Sequence, residues 1–195
     1  MATEKSATQQ RARRTQPVRQ AITLELVQAH APRAGLAENL SRTFGLDPVD
    51  YAAIRESVEE HIALSAKALQ PALNERAIQI HLQRVVGSFV GSAYGATQFY
   101  GTKVTQARDL TMASQNDDRD DDSAGVLGFE SKAGRARLFA AELGLQAFAL
   151  MAAAEGAVSA YAHITGEDWK PYEAPVAASA SAGRQSATAE MAAFG

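Results

Sequence analysis

A chain of 195 residues, 46% of them apolar, is long enough for one domain, or for a small module joined to a second one. It has no cysteine, which excludes disulfides and thiolate metal sites and fits a reducing compartment. Net charge is −3, but Lys5, Arg11, Arg13, Arg14 and Arg19 crowd the N-terminus while aspartates dominate 117–122, so charge distribution leaves nucleic-acid binding open.

Alanine supplies much of the apolar total, which points to closely packed helices rather than a core of large side chains. The N-terminus has no long apolar run of the signal-peptide kind. The most apolar window, Leu143–Ala154, is flanked by Glu142 and Glu155. It is shorter than the roughly 20 residues of a membrane span, so the expectation is a soluble, cytoplasmic protein with no membrane partner.

Residues 1–17 are polar and read as a disordered basic arm. In 19–26, Ile22, Leu24 and Leu26 alternate with Ala21, Thr23 and Glu25, the period of a half-buried strand. His30-Ala31-Pro32 ends it, because proline holds its predecessor extended. Leu36, Leu40 and Phe44 form one stripe of a short helix, and Gly45 suits a left-handed C-terminal residue. Asp47-Pro48 reads as an N-cap followed by proline at the first helical position. Tyr51, Ile54, Val58, Ile62 and Leu69 then keep helical spacing as far as Pro71, which marks a kink or a new first turn.

The region 71–168 predicts a long antiparallel helical hairpin. Its first arm runs from about Ala72 to Ala113, with Leu73, Ile80, Phe89, Tyr100 and Leu110 among its apolar members. An acidic loop occupies 115–124. The second arm runs from about Lys132 to Ile164, and 169–195 is an Ala/Ser-rich flexible tail. The fold class expected is therefore mainly α, with a short N-terminal strand and disordered termini.

The strand–helix–helix order of residues 19–65 resembles the ribbon-helix-helix family of transcriptional regulators. The resemblance implies that two copies pair their strands into an antiparallel ribbon that enters the major groove of double-stranded DNA. Ile22, Leu24 and Leu26 would then face the helices, while Arg19, Ala21, Thr23 and Glu25 face DNA. Arg19 and Thr23 are the candidates for base or phosphate contacts, and the helix start at Asp47–Val49 would lie near a phosphate. Arg11, Arg13 and Arg14 would follow the backbone in a salt-dependent, sequence-indifferent way. On this expectation the chain is a sequence-specific DNA-binding regulator acting as a homodimer, of the kind common on plasmids and mobile elements.

Gly87, Gly91 and Gly95 recur every four residues beside Ser88, Ser92 and Ala96, leaving a smooth helical stripe. Helix-interior glycine costs about 1 kcal/mol relative to alanine, so the series asks for a compensating contact. The closest candidate is the last helix, whose Ala141, Ala149, Ala153 and Gly156 are also small; the alternative is an interface between copies. That alternative underlies a second expectation: a non-enzymatic helical scaffold or adaptor that oligomerises through its Gly/Ala-rich helices. It would offer Trp169 and Tyr172 near its C-terminus to a protein partner. The commoner fate of Trp169 is to fold back on the hairpin.

Chemistry has little to stand on. Asp118, Asp120 and Asp122 alternate, but the positions where a calcium loop needs glycine and glutamate hold Ser123 and Phe129, so a solvated loop is the better reading. An acidic mimic of DNA remains a third possibility. His30, His61, His81 and His163 form no metal-binding pair, and no serine or threonine sits in a nucleophile elbow. The expectation is no enzyme, no cofactor and no metal.

Overall fold

A computed structural model describes residues 21–117 and 131–171. Among these residues the chain forms helices α1 (Leu24–His30), α2 (Ala34–Phe44), α3 (Tyr51–Leu69), α4 (Glu75–Asp117) and α5 (Lys132–Thr165), and no strand. The mainly helical fold class stands; the N-terminal strand does not.

The segment read as alternating changes conformation at Thr23. Its backbone is extended, and its hydroxyl accepts the Leu26 N–H at 3.2 Å, capping α1. A lone strand would leave its N–H and C=O groups needing a neighbour, whereas one helical turn satisfies them internally. The apolar residues then regroup. Val27 is fully buried against α4 and α5, while Ile22 and Leu24 pack at its margin.

The boundary after α2 follows its signals closely. Gly45 adopts the left-handed conformation (φ +64°), and the N–H groups of Gly45 and Leu46 both donate to the Ser41 carbonyl. The next helix begins three residues later than Asp47-Pro48 suggested. Leu46 and Val49 pack on Ala37, Leu145 and Phe148, and Asp50, itself extended, accepts the Ala53 N–H at 3.0 Å as the true cap of α3. Asn74 likewise accepts from Ala77 at 2.9 Å to start α4 beyond the Pro71 turn.

At 43 residues, α4 is about 65 Å long. It runs antiparallel to α5, as Gln79 bonded to Glu167 and Phe99 set edge-to-face with Phe139 show. By contrast α3 runs parallel to α5: Tyr51 meets Phe148, Arg55 meets Gly156 and Glu59 meets His163. So α5 is the central element, packed most extensively on α4 and next on α3, with α2 crossing its N-terminal half. Its composition explains the position. Ala140, Ala141, Gly144, Ala147, Ala152, Ala153, Ala154, Gly156, Ala157 and Ala160 are all buried, and small side chains on several sides let neighbouring axes approach.

The large residues come from the partners. Leu82, Val86 and Val90 of α4 and Val27 of α1 are the bulkiest fully buried side chains, each worth about 1.5–3 kcal/mol of transfer free energy. By length and composition α5 is long and apolar enough to cross a membrane; here 56% of that apolar window is buried against the other helices.

Candidate interface on the outer face of α4

Two i, i+4 series run along α4. Leu82, Val86 and Val90, joined by Ile78, Ala93 and Thr97, are buried. Gly87, Gly91 and Gly95 follow one position later, about 100° further round the helix. Burial sorts the two series: apolar area is what leaves water favourably, so the leucine and valines turn inward and the glycines outward.

The glycine stripe is therefore not the seam between the hairpin arms. A Cβ at Gly87 would meet only the Trp169 ring, at 3.9 Å, and at Gly91 and Gly95 it would meet nothing within 4 Å. The close approach expected of these glycines is made elsewhere, on α5. There a Cβ at Gly156 would collide with the Arg55 main chain, and one at Gly144 would lie 2.8 Å from Leu40 and 2.9 Å from Tyr100.

The outward series continues to Phe99, four residues past Gly95. Phe99 and Phe139 of α5 are 46% and 45% exposed, with ring centroids 6.5 Å apart in an edge-to-face arrangement. The Lys103 ammonium lies 5.2 Å from the Phe99 centroid. At the other end Ile80 is also exposed, and the Trp169 indole N–H donates to the Gln83 carbonyl at 3.3 Å. Gln83 in turn donates its amide to the Lys170 carbonyl. The first residues after α5 thus fold back over Gly87 and, among the described residues, stop short of Gly91 and Gly95; Tyr172 lies outside the described residues.

Of the residues assigned to DNA, Ala21 and Thr23 are the two among those described. Arg11, Arg13, Arg14 and Arg19 lie outside the described residues, as do Asp118–Asp122. Ala21 is exposed just ahead of α1, and the Thr23 hydroxyl is used as a cap instead of facing a groove. At the start of α3 the Asp50 carboxylate occupies the place proposed for a phosphate.

Burial, followed by a hydrogen bond to Glu155, pushes the Tyr51 hydroxyl well above its usual range; Gln28 donates to the same Glu155 carboxylate at 2.8 Å. Burial also raises Tyr100. The exposed His163 pairs with Glu59 at 2.7 Å. Among the described residues no group of three or more His, Asp or Glu side chains is arranged to hold a metal ion.

No family model, no curated protein and no solved structure matches this chain. The exposed Phe99–Phe139 pair was not singled out in the sequence. The continuation of the 87-91-95 series to 99 is the sequence signal available for Phe99; the approach of Phe139 is a tertiary fact with no local mark.

Proposed function

We propose that this protein is a helical scaffold that self-associates through the outer face of α4, its Gly91–Gly95 backbone meeting the same stretch of a second copy, and that it has a structural rather than a catalytic role. The observation that carries the reading is the outward direction of the glycine stripe, with no described residue within 4 Å of a Cβ at Gly91 or Gly95. Glycine on a solvated helix face costs about 1 kcal/mol against alanine, and no side-chain contact among the described residues offsets that cost at Gly91 or Gly95. An approaching helix would offset it, since glycine lets two backbones come closest. A crossing at Gly91 is self-complementary, as a two-fold interface must be. It would place each Phe99 about 12 Å along the axis from the crossing point, able to cover part of the partner helix.

Sedimentation velocity of the full chain tests the reading, with Gly91→Leu and Gly95→Leu alongside. The wild type should sediment as a dimer and the variants as folded monomers with unchanged helicity. A wild type that stays monomeric across the accessible concentration range would remove the proposal.

A further inference from the structure

A second feature, independent of the outer face, lies where α4 and α5 extend beyond the reach of α3. An open groove of about 390 Å³ runs between α2, α4 and α5, walled by Leu40, Tyr100, Val104 and Met112 and bordered by Arg108 and Arg137. That volume falls in the lower part of the range for small-molecule sites, which combine apolar walls with a few placed polar groups. Val104 and Met112 are 41% and 49% exposed, so the groove leaves apolar area in water. Neither Arg108 nor Arg137 has an acid partner among the described residues; the Arg137 guanidinium instead lies 6.0 Å from the Phe44 ring centroid.

We infer that this groove binds a small amphiphilic anion, an aliphatic carboxylate, with its hydrocarbon chain along Leu40, Val104 and Met112 and its carboxylate at Arg108 and Arg137. Charge complementarity selects the occupant. Two arginines on the border of an apolar trough favour a negative headgroup and oppose a positive one, and arginine binds carboxylates through paired N–H donors. A neutral or cationic amphiphile would gain the same apolar contacts without that pairing.

Titration calorimetry of the full chain with decanoate and with decyltrimethylammonium, both below micelle formation, tests this. Decanoate should saturate at one molecule per chain and the cation should bind much more weakly. The double variant Arg108→Gln/Arg137→Gln should weaken decanoate by about tenfold or more, the scale of a lost charge-assisted hydrogen bond, and should not weaken the cation. Val104→Trp, at an exposed position that the fold does not need, should fill the trough and abolish decanoate binding while the circular dichroism spectrum is kept. Absence of saturable decanoate binding, equal affinity for the two amphiphiles, or indifference to Val104→Trp would each overturn the assignment.

Discussion

Gly156 of α5 lies against the main chain of Arg55 in α3, so close that a Cβ there would stand 3.1 Å from the Arg55 carbonyl carbon, 3.2 Å from its Cα and inside the contact radius of its oxygen. Backbone cannot step aside as a side-chain tip can. Gly156→Ala should therefore destabilise the fold by about 1–3 kcal/mol through overpacking, which thermal denaturation would register as a fall of roughly 2–4 °C per kcal/mol. Gly91→Ala and Gly95→Ala should do the opposite at concentrations where the monomer prevails: each should raise the midpoint, because alanine is the better helix former by about 1 kcal/mol and nothing blocks its methyl group. Equal losses at all three positions would mean that the outer stripe is packed within the chain.

Thr23 distinguishes a helix from a strand at the N-terminal end. Thr23→Ala removes the hydroxyl that caps Leu26 and should cost about 1 kcal/mol, expressed as faster amide hydrogen exchange across Leu26–His30 with little change in α4 or α5. If exchange in that segment is unchanged, the cap is not what holds α1.

Tyr51 gives the fold an alkaline limit. Burial and the Glu155 hydrogen bond raise its folded pKa above the unfolded value of about 10. The protonated form is therefore bound more strongly in the folded state. The stability this contributes is complete below pH 10 and is lost as pH rises beyond it, when the unfolded chain ionises first. Denaturant unfolding between pH 8 and 11 should show a decline starting near pH 10, shallower in Tyr51→Phe, with a residual slope from Tyr100, which burial also raises. A Tyr51→Phe profile identical to wild type would show that this hydroxyl is not held as described.

Trp169 is the only tryptophan in the chain, so its fluorescence reports one place. The ring lies over Gly87, 3.9 Å from where a Cβ would be. Gly87→Leu should displace it and shift its emission to the red, while Gly95→Leu, two turns away, should leave the monomer's spectrum as it was. The same spectrum in all three proteins would place the indole elsewhere.

Much of the helical framework was legible in the sequence because its signals are local. Leu36, Leu40 and Phe44 mark α2, Gly45 takes the left-handed conformation that ends it, and the hairpin arms follow from two long segments without internal proline. Two readings failed for a common reason. In residues 22–27 the apolar positions fit both a period of two and a helical turn; burial of Val27 against α4 and α5 decides between them, and that contact is distant in sequence. On α4 the glycine series and the Leu82/Val86/Val90 series have the same spacing, so periodicity alone does not say which faces inward. The decision belongs to α5, whose own small residues already supply the close approach and so require bulk from α4. The Phe99–Phe139 pair and the groove beside Arg108 and Arg137 arise only once the arms are docked.

The most direct test of self-association uses the absence of cysteine from the chain. Ser88 and Ser92 are exposed beside Gly91, and two copies crossing there would bring a cysteine at one of these positions within reach of its own symmetry mate, about 7 Å or less between Cα atoms. Under mild oxidation Ser88→Cys or Ser92→Cys should yield a disulfide-linked dimer at low protein concentration, while Glu56→Cys, exposed on α3, should remain monomeric on a denaturing gel. Failure of both α4 variants to cross-link, or equally efficient cross-linking through Glu56→Cys, would contradict an interface on the outer face of α4.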